Sequence, residues 1–444
     1  MNNKKNYRKG ARREIIRLLF LNGVLTYKSM QVMQDTRQMT GRAVKKLGSE
    51  GVIEISKGPL RVTLRDHALT ALRKNEIAEK HSRDEAGGLT ARDDGIQSGE
   101  GTPVVNLEYQ NFRENIETYP EEVGYLDAVS EGQVAYYRQN IAYSVKNVKG
   151  TSKNYYQKFI RMIRNSEVNT LVYSTGAKIM TDEKPDIIGL KDRVYYSSVE
   201  VKRGREDRDD GKVISNERSH GVLISPGGLY MIYHTGNTMI KWNSFSEIGG
   251  CIRTMRFLKE RADEEWCMRN EQIETAVVIA DNPTVFSKMV TFDGKVKSSN
   301  GMKNMLLAIE PAYKTLYGIT NDLNGRKMLG NMQDAGWRTR MKQLFLTHEE
   351  IEESEFCSIA CDGYDKENSL YTLLFCIPDL IKLRNFCMRA ELDQQPDRYR
   401  IICFTHQLPT IANIISNNDC KVYSVPFERY EQLTYQQQGK EVEN

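Results

Sequence analysis

No cysteine occurs before Cys251, and the eight that follow form no Cys-x-x-Cys pair. That spacing argues against a zinc ribbon or a dithiol redox motif. Most of these cysteines sit in apolar runs, so reduced core thiols are expected. Histidine is also sparse. The six, at positions 67, 81, 220, 234, 348 and 406, form no His-x-His or His-apolar-His cluster, which argues against a histidine-ligated metal centre. No apolar run reaches the roughly 18–20 residues a membrane helix needs. The first residues, Met1-Asn2-Asn3-Lys4-Lys5, are basic without an apolar signal core, so no membrane partner and a cytoplasmic location are expected. No GxGxxG or GxxxxGK[ST] loop is present, so a nucleotide site has no support. No pattern points to a serine or cysteine hydrolase.

What is present is charge, unevenly placed. Residues 1–75 hold 17 Lys/Arg and 5 Asp/Glu, a balance of +12. The whole chain carries +4, so the other 369 of its 444 residues sum to −8. A small basic head on a mildly acidic body points to a polyanion, most simply DNA or RNA. A chain this long exceeds one ordinary core and predicts about two or three domains.

The head, residues 1–75, reads as a winged helix-turn-helix. Ala11–Leu21 carries a helical apolar stripe through Ile15, Ile16, Leu18, Leu19 and Phe20, and Asn22-Gly23 stops it. A second short helix runs through Met30 and Met33. Thr40 is expected to cap a third, Gly41–Glu50, with Val44 and Leu47 facing in and Arg42, Lys45 and Lys46 facing out. Val52–Ser56 and Leu60–Leu64 then read as two strands around Lys57-Gly58-Pro59. The third helix would enter a major groove of double-stranded DNA, while Lys57 and Arg61 on the wing reach the flanking backbone.

Residues 76–103 read as a flexible linker, with Gly87, Gly88, Gly95, Gly99 and Gly101 among scattered charges. Residues 104–248 hold the main chemical motif: Pro185-Asp186, then Glu200-Val201-Lys202. Helices are expected at Gly132–Lys149 and Ser152–Arg164, and a strand at Asn169–Tyr173. Asp186–Leu190 and Arg193–Val201 read as a hairpin, followed by strands at Val222–Ser225, Leu229–His234 and Thr238–Trp242. A hairpin would bring Asp186 and Glu200 together as oxygen ligands for Mg²⁺ or Mn²⁺. Lys202, two residues beyond Glu200, would share its strand face and act on the attacking water or the phosphate. This is the residue set of a PD-(D/E)xK nuclease.

The letters alone are common here. The chain contains five [DE]-x-K triplets and three Pro-Asp pairs. Only Glu200 closes an extended run that directly follows a Pro-Asp strand. Glu131 or Glu167 could add a carboxylate, Lys191, Arg203 and Arg205 could lie along the DNA backbone, and His220 and Tyr196 could act behind the ligands, though a surface or packing role is the simpler reading for each. Residues 249–444 read as an α/β region without an assigned role. Strands are expected at Thr275–Ala280, Tyr371–Cys376, Arg400–Phe404 and Lys421–Val425, with helices at Leu380–Ala390 and Leu408–Ser416.

The basic head (Arg12–Leu64), the Pro185-Asp186 and Glu200-Val201-Lys202 motifs, and the segments Gly221-Val222-Leu223 and Tyr230-Met231-Ile232-Tyr233 together resemble the replication-relaxation family. That family includes the MOB-C class of plasmid mobilisation relaxases. The resemblance covers roughly residues 10–245 and implies an α+β and α/β multidomain chain with a restriction-endonuclease-like core and mixed sheet. It implies Asp186 and Glu200 as metal ligands and Lys202 as the catalytic lysine. The expected activity is Mg²⁺-dependent nicking of plasmid or integrative-element DNA at an origin of transfer or replication, alongside other DNA-processing or transfer proteins. Two alternatives are a non-catalytic winged-helix regulator of replication or transcription, and a defence or transposition endonuclease that makes double-strand breaks.

Overall fold

The computed structural model describes residues 3–33, 37–49, 53–56, 61–64, 153–180, 184, 193–209, 218–240, 242, 245–265, 275–291, 306, 309–346, 361–393, 395–415 and 420–442. It is a mixed α and β protein that divides into two compact units. The first comprises Met1–Thr170 and Met180–Lys184, and the second Leu171–Ile179 and Pro185–Asn444.

The first unit begins with α1 (Asn3–Asn22), β1 (Leu25–Thr26), α2 (Tyr27–Met33) and α3 (Arg37–Ser49). Strands β2 (Ile53–Ser56) and β3 (Arg61–Leu64) follow, and β3 lies between β1 and β2 in an antiparallel sheet. The helices form where apolar spacing is helical: Ile15, Ile16, Leu18 and Leu19 of α1, Met30 and Val32 of α2, and Ala43, Val44 and Leu47 of α3 are all buried. Gly23 ends α1, with φ 73° and its N–H donating to Leu19 O at 2.7 Å, a left-handed cap that suits glycine. Thr26 starts α2 by accepting the Ser29 N–H at 3.0 Å on its hydroxyl. Helix α3 starts three residues before Thr40, so Thr40 does not cap it.

Helix α4 (Lys153–Tyr173) carries the chain into the second unit. Its Ser166 hydroxyl donates to Val24 O at 2.6 Å and its Asn169 amide to Asn22 Oδ1 at 2.8 Å, which pins the α1–α2 turn. Asn169–Tyr173, expected as a strand, continues this helix. Val168, Leu171 and Val172 keep the helical spacing and are buried.

The second unit holds a five-stranded sheet in the order β4-β5-β6-β7-β8. Its strands are β4 (Val194–Ser197), β5 (Gly221–Ser225), β6 (Gly228–Gly236), β7 (Thr275–Ala280) and β8 (Thr315–Thr320). The first three are antiparallel neighbours, while β6, β7 and β8 run parallel. A four-stranded sheet has the order β12-β11-β10-β9, from β9 (Gly363–Asp365), β10 (Leu370–Leu374), β11 (Tyr399–Phe404) and β12 (Lys421–Val425). Here β10, β11 and β12 are parallel and β9 is antiparallel to β10. Strands β5, β6 and β7 are buried along their whole length, as strands of a sheet covered on both faces are.

The covering helices are α5 (Ser198–Asp209), α6 (Phe245–Glu265), α7 (Thr284–Thr291), α8 (Leu323–Met332), α9 (Trp337–Phe345), α10 (Leu380–Asp393), α11 (Leu408–Ile415) and α12 (Phe427–Val442). One apolar core joins both sheets, from Val222 and Met231 through Phe286 and Leu316 to Leu373 and Ile401. The β8 edge meets the turn after β10, where Gly318 N–H donates to Pro378 O at 2.9 Å.

The architecture corrects three further expectations. The boundary between residues 248 and 249 falls inside one sheet, because β6 pairs with β7 over the register Tyr230–Thr275 to Gly236–Ala280. The extended run expected over Arg193–Val201 stops at Ser197, and Ser198 begins α5. The described residues of 238–242 form no strand. The linker, the helix at 132–149 and the strand at 186–190 lie outside the described residues. No described helix is long and apolar enough to cross a membrane.

Candidate functional site

Glu200 occupies a different place from the one its motif suggests. Ser197 is the residue before α5, and Glu200 is the third residue of that helix. Glu200 Oε2 accepts the Ser197 N–H at 2.7 Å and the Ser197 hydroxyl at 2.7 Å, and Glu200 N–H donates to Ser197 Oγ at 3.4 Å. This is a reciprocal capping box, which satisfies backbone groups that a helix start leaves open. The carboxylate also lies at the positive end of the helix dipole. Lys202 and Arg203 are exposed on the same helix. On a helix, a two-residue spacing turns Glu200 and Lys202 about 200° apart instead of onto one face. Asp186 and Lys191 lie outside the described residues.

Arg205, expected along a DNA backbone, is buried. Its guanidinium donates to Thr254 Oγ1 at 2.8 Å, so it ties α5 to α6. Glu167 is buried and accepts the Thr26 hydroxyl at 3.2 Å within the first unit. Tyr196 is buried on β4, and His220 Nδ1 accepts the His234 N–H at 3.2 Å. Glu131 lies outside the described residues.

In the first unit, Arg42, Lys45 and Lys46 are all exposed on α3. Their spacing of three and four residues puts them on one helix face, opposite buried Ala43, Val44 and Leu47. Arg61 is placed on β3 by its backbone, and Lys57 lies outside the described residues.

The second unit gathers polar groups at the carboxyl ends of its parallel strands. The β6–β7 register shifts between His234 and Gly236, so Thr235 is an extra residue there. His234 Nδ1 accepts the Gly236 N–H at 3.1 Å. Asp281 and Asn321, just past β7 and β8, extend the ladder: Asp281 N–H donates to Gly236 O at 2.9 Å and Asn321 N–H to Ala280 O at 2.8 Å. The three side chains meet. Asn321 Nδ2 lies 3.2 Å from His234 Nε2 and donates to Asp281 Oδ1 at 3.1 Å. His234 Nε2 is 3.9 Å from the same Asp281 oxygen.

Next to them, Asp322 accepts the Thr320 hydroxyl at 2.7 Å and caps α8 through Gly325 N–H at 2.9 Å. A Cβ on Gly325 would sit 1.7 Å from Thr320 O, so only glycine allows this close turn. Thr320, Gly325, Met328 and Phe286 line a small pocket of about 10 Å³ with Phe375, His406 and Thr410. Burial holds the His406 pKa below its usual value, outweighing the opposing pull of Asp322 and Glu428. Open α/β sheets place their ligands in the crevice at such carboxyl ends.

None of these strand-end groups was singled out from the sequence. The signal was nevertheless there: apolar runs that stop at His234, Asp281 and Asn321-Asp322. No family model, no curated protein and no solved structure matches this chain.

Proposed function

We propose that the protein is a DNA-binding protein whose first unit acts as a winged helix-turn-helix. Helix α3 is the recognition helix, and β2–β3 is the wing. The observation that carries this reading is the exposed stripe of Arg42, Lys45 and Lys46 on α3, in a segment with a charge balance of +12. A helix with its apolar side buried can present that stripe to a major groove, with the cations on phosphates or base edges. Fluorescence anisotropy with a labelled duplex tests it. Replacing Arg42, Lys45 and Lys46 together by alanine is expected to weaken binding by 10-fold or more at ~0.15 M salt. The log–log salt slope should fall by about 2–3 if all three neutralise phosphates. Unchanged affinity and slope would remove α3 from the interface.

Strand nicking with Mg²⁺ or Mn²⁺ at Asp186 and Glu200 is a second reading, favoured by the Pro-Asp and Glu-x-Lys spacing and by the mobile-element relaxases it resembles. The capping role of Glu200 supplies a structural reason for that residue without any metal. A supercoiled-plasmid assay separates the two: Glu200→Gln keeps a capping acceptor but loses the carboxylate. Nicking by the wild type that disappears in Glu200→Gln supports catalysis, and no Mg²⁺-dependent nicking by either refutes it.

A further inference from the structure

Half of the basic excess of residues 1–75 lies ahead of the helix-turn-helix core. Residues 1–13 hold Lys4, Lys5, Arg8, Lys9, Arg12 and Arg13 and no Asp or Glu, which is +6 of the +12. Helix α1 carries them: it begins at Asn3, eight residues before the start that its apolar stripe suggests at Ala11. The first buried apolar side chain among its described residues is Ile15. At 3.6 residues per turn, Lys4, Arg8 and Arg12 follow one another along one row of the helix, and Lys5, Lys9 and Arg13 along the next.

This pattern works against a helix standing alone. Like charges four residues apart repel. The first turn of α1 has no acidic residue, and cations there oppose the helix dipole. Gly10, inside the helix, lowers its propensity further. Residues 2–13 contain no Val, Leu, Ile, Phe or Trp, so the segment has little to bury in a core or among lipid headgroups. Two rows of cations are offset best by a surface that repeats negative charge along its length. From Lys4 to Arg13 the helix advances about 14 Å, at about 1.5 Å per residue. Double-stranded DNA carries one phosphate charge per ~1.7 Å of its axis, so it offers a counter-charge for each cation over that length.

We propose that the first three turns of α1 are a phosphate-binding arm, which lies along the backbone of double-stranded DNA and adds affinity without reading bases. The proposal rests on the DNA-binding reading of the first unit, but on different residues, since no cation of α3 or the wing takes part.

Anisotropy titrations of the full chain with two labelled duplexes of unrelated sequence, over a range of salt, test it. The combined variant Lys4→Gln, Lys5→Gln, Arg8→Gln and Lys9→Gln keeps good helix formers and removes four charges. It is expected to bind both duplexes more weakly by roughly 10-fold or more at ~0.15 M salt, with the log–log slope falling by about 3–4. Its unfolding temperature at low salt should equal or exceed that of the wild type, because repulsion has been removed. A charge-conserving variant, Lys4→Arg, Lys5→Arg, Arg8→Lys and Lys9→Arg, should keep the wild-type slope, and a fallen slope there overturns the proposal. Unchanged affinity and slope in the glutamine variant also overturn it. So does a loss confined to one duplex, which would make the arm a base reader. Lost binding to phosphatidylserine vesicles with an unchanged duplex slope would assign the arm to a membrane and overturn it as well. If the Arg42, Lys45 and Lys46 variant keeps its affinity while the glutamine variant loses it, the arm stands and α3 falls; the reverse result removes the arm alone.

Discussion

The two units use positive charge differently. In the first, Arg42, Lys45 and Lys46 lie exposed along one face of α3. In the second, several cations are held by carboxylates of the same unit. Arg218 makes a two-pronged contact with Glu247 at 2.6 and 2.7 Å. Lys382 and Lys342 converge on buried Asp362 at 2.5 and 3.5 Å. Arg193 and Arg340 share Asp334. In the second unit these carboxylate-held cations fix turns between strands and helices, while the cations of the α3 stripe lie on the surface of the first.

Asp362 offers the largest test of that contrast. Its Oδ2 accepts Leu374 N–H at 3.0 Å while its other oxygen takes both lysines. Removing it strands two ammonium groups and a backbone donor beside the core. Asp362→Ala is expected to cost about 2–3 kcal/mol of stability, below the range for fully buried pairs because both lysines can turn partly to water. Denaturant unfolding measures it. A cost near zero would mean that the second unit's charges are as dispensable to its fold as the α3 stripe is expected to be to the first.

Asp379 sharpens the comparison, since here burial in the second unit works against charge. Its Oδ1 accepts Ile381 N–H at 3.0 Å and Lys382 N–H at 3.2 Å, and so starts α10. Burial nevertheless pushes its pKa up to about 6. The folded state thus binds this proton more tightly than the unfolded chain. The resulting stability is fully present below about pH 4 and is lost as pH rises to about 6. Asparagine caps as well as aspartate does and carries no charge. Asp379→Asn should therefore be more stable than the wild type by about 2 kcal/mol at pH 7, with the gain vanishing near pH 4. Unfolding curves at the two pH values check the sign, and a loss at pH 7 would show that Lys382 needs the carboxylate.

The same division explains what could be read from the sequence. The helices of the first unit follow from near-neighbour spacing, so α2, α3 and the β2–β3 pair were legible to within a few residues, and α1 was legible from Ala11 on although it begins at Asn3. In the second unit, β5, β6, β7 and the parallel β11-α11-β12 run were legible as apolar strands punctuated by glycine, proline and polar turns. Strand β8 was not. Gly318 interrupts Thr315–Thr320 and weakens its strand signal. The reason for glycine lies far away in the chain, since a Cβ there would press on Phe286 and Leu380 at 3.0 and 3.1 Å. Without β8, Asn321 had no place beside Asp281 and His234, and the strand-end group could not be assembled. Asn169–Tyr173 failed for another reason: its β-branched and aromatic residues suit a strand, but the buried face of α4 overrides that preference.

Glu200 gives the smallest effect and the closest test of how motif and fold compete. Ser197-Ser198-Val199-Glu200 carries the Ser-x-x-Glu signature of a helix start, yet Val199 and Val201 alternate like a strand, and the strand reading aligned Glu200 with Lys202. The structure follows the capping signature. Glu200→Ala removes the acceptor for Ser197 N–H and is expected to destabilise the second unit by about 1 kcal/mol. Glu200→Gln, which can still accept that N–H, should recover most of the loss. Thermal unfolding of the pair in metal-free buffer reads this without any activity. If glutamine is as damaging as alanine, the negative charge at the helix start matters more than the hydrogen bond. If neither variant changes stability, the capping box contributes nothing measurable, and the reason for a carboxylate at Glu200 must be sought in chemistry after all.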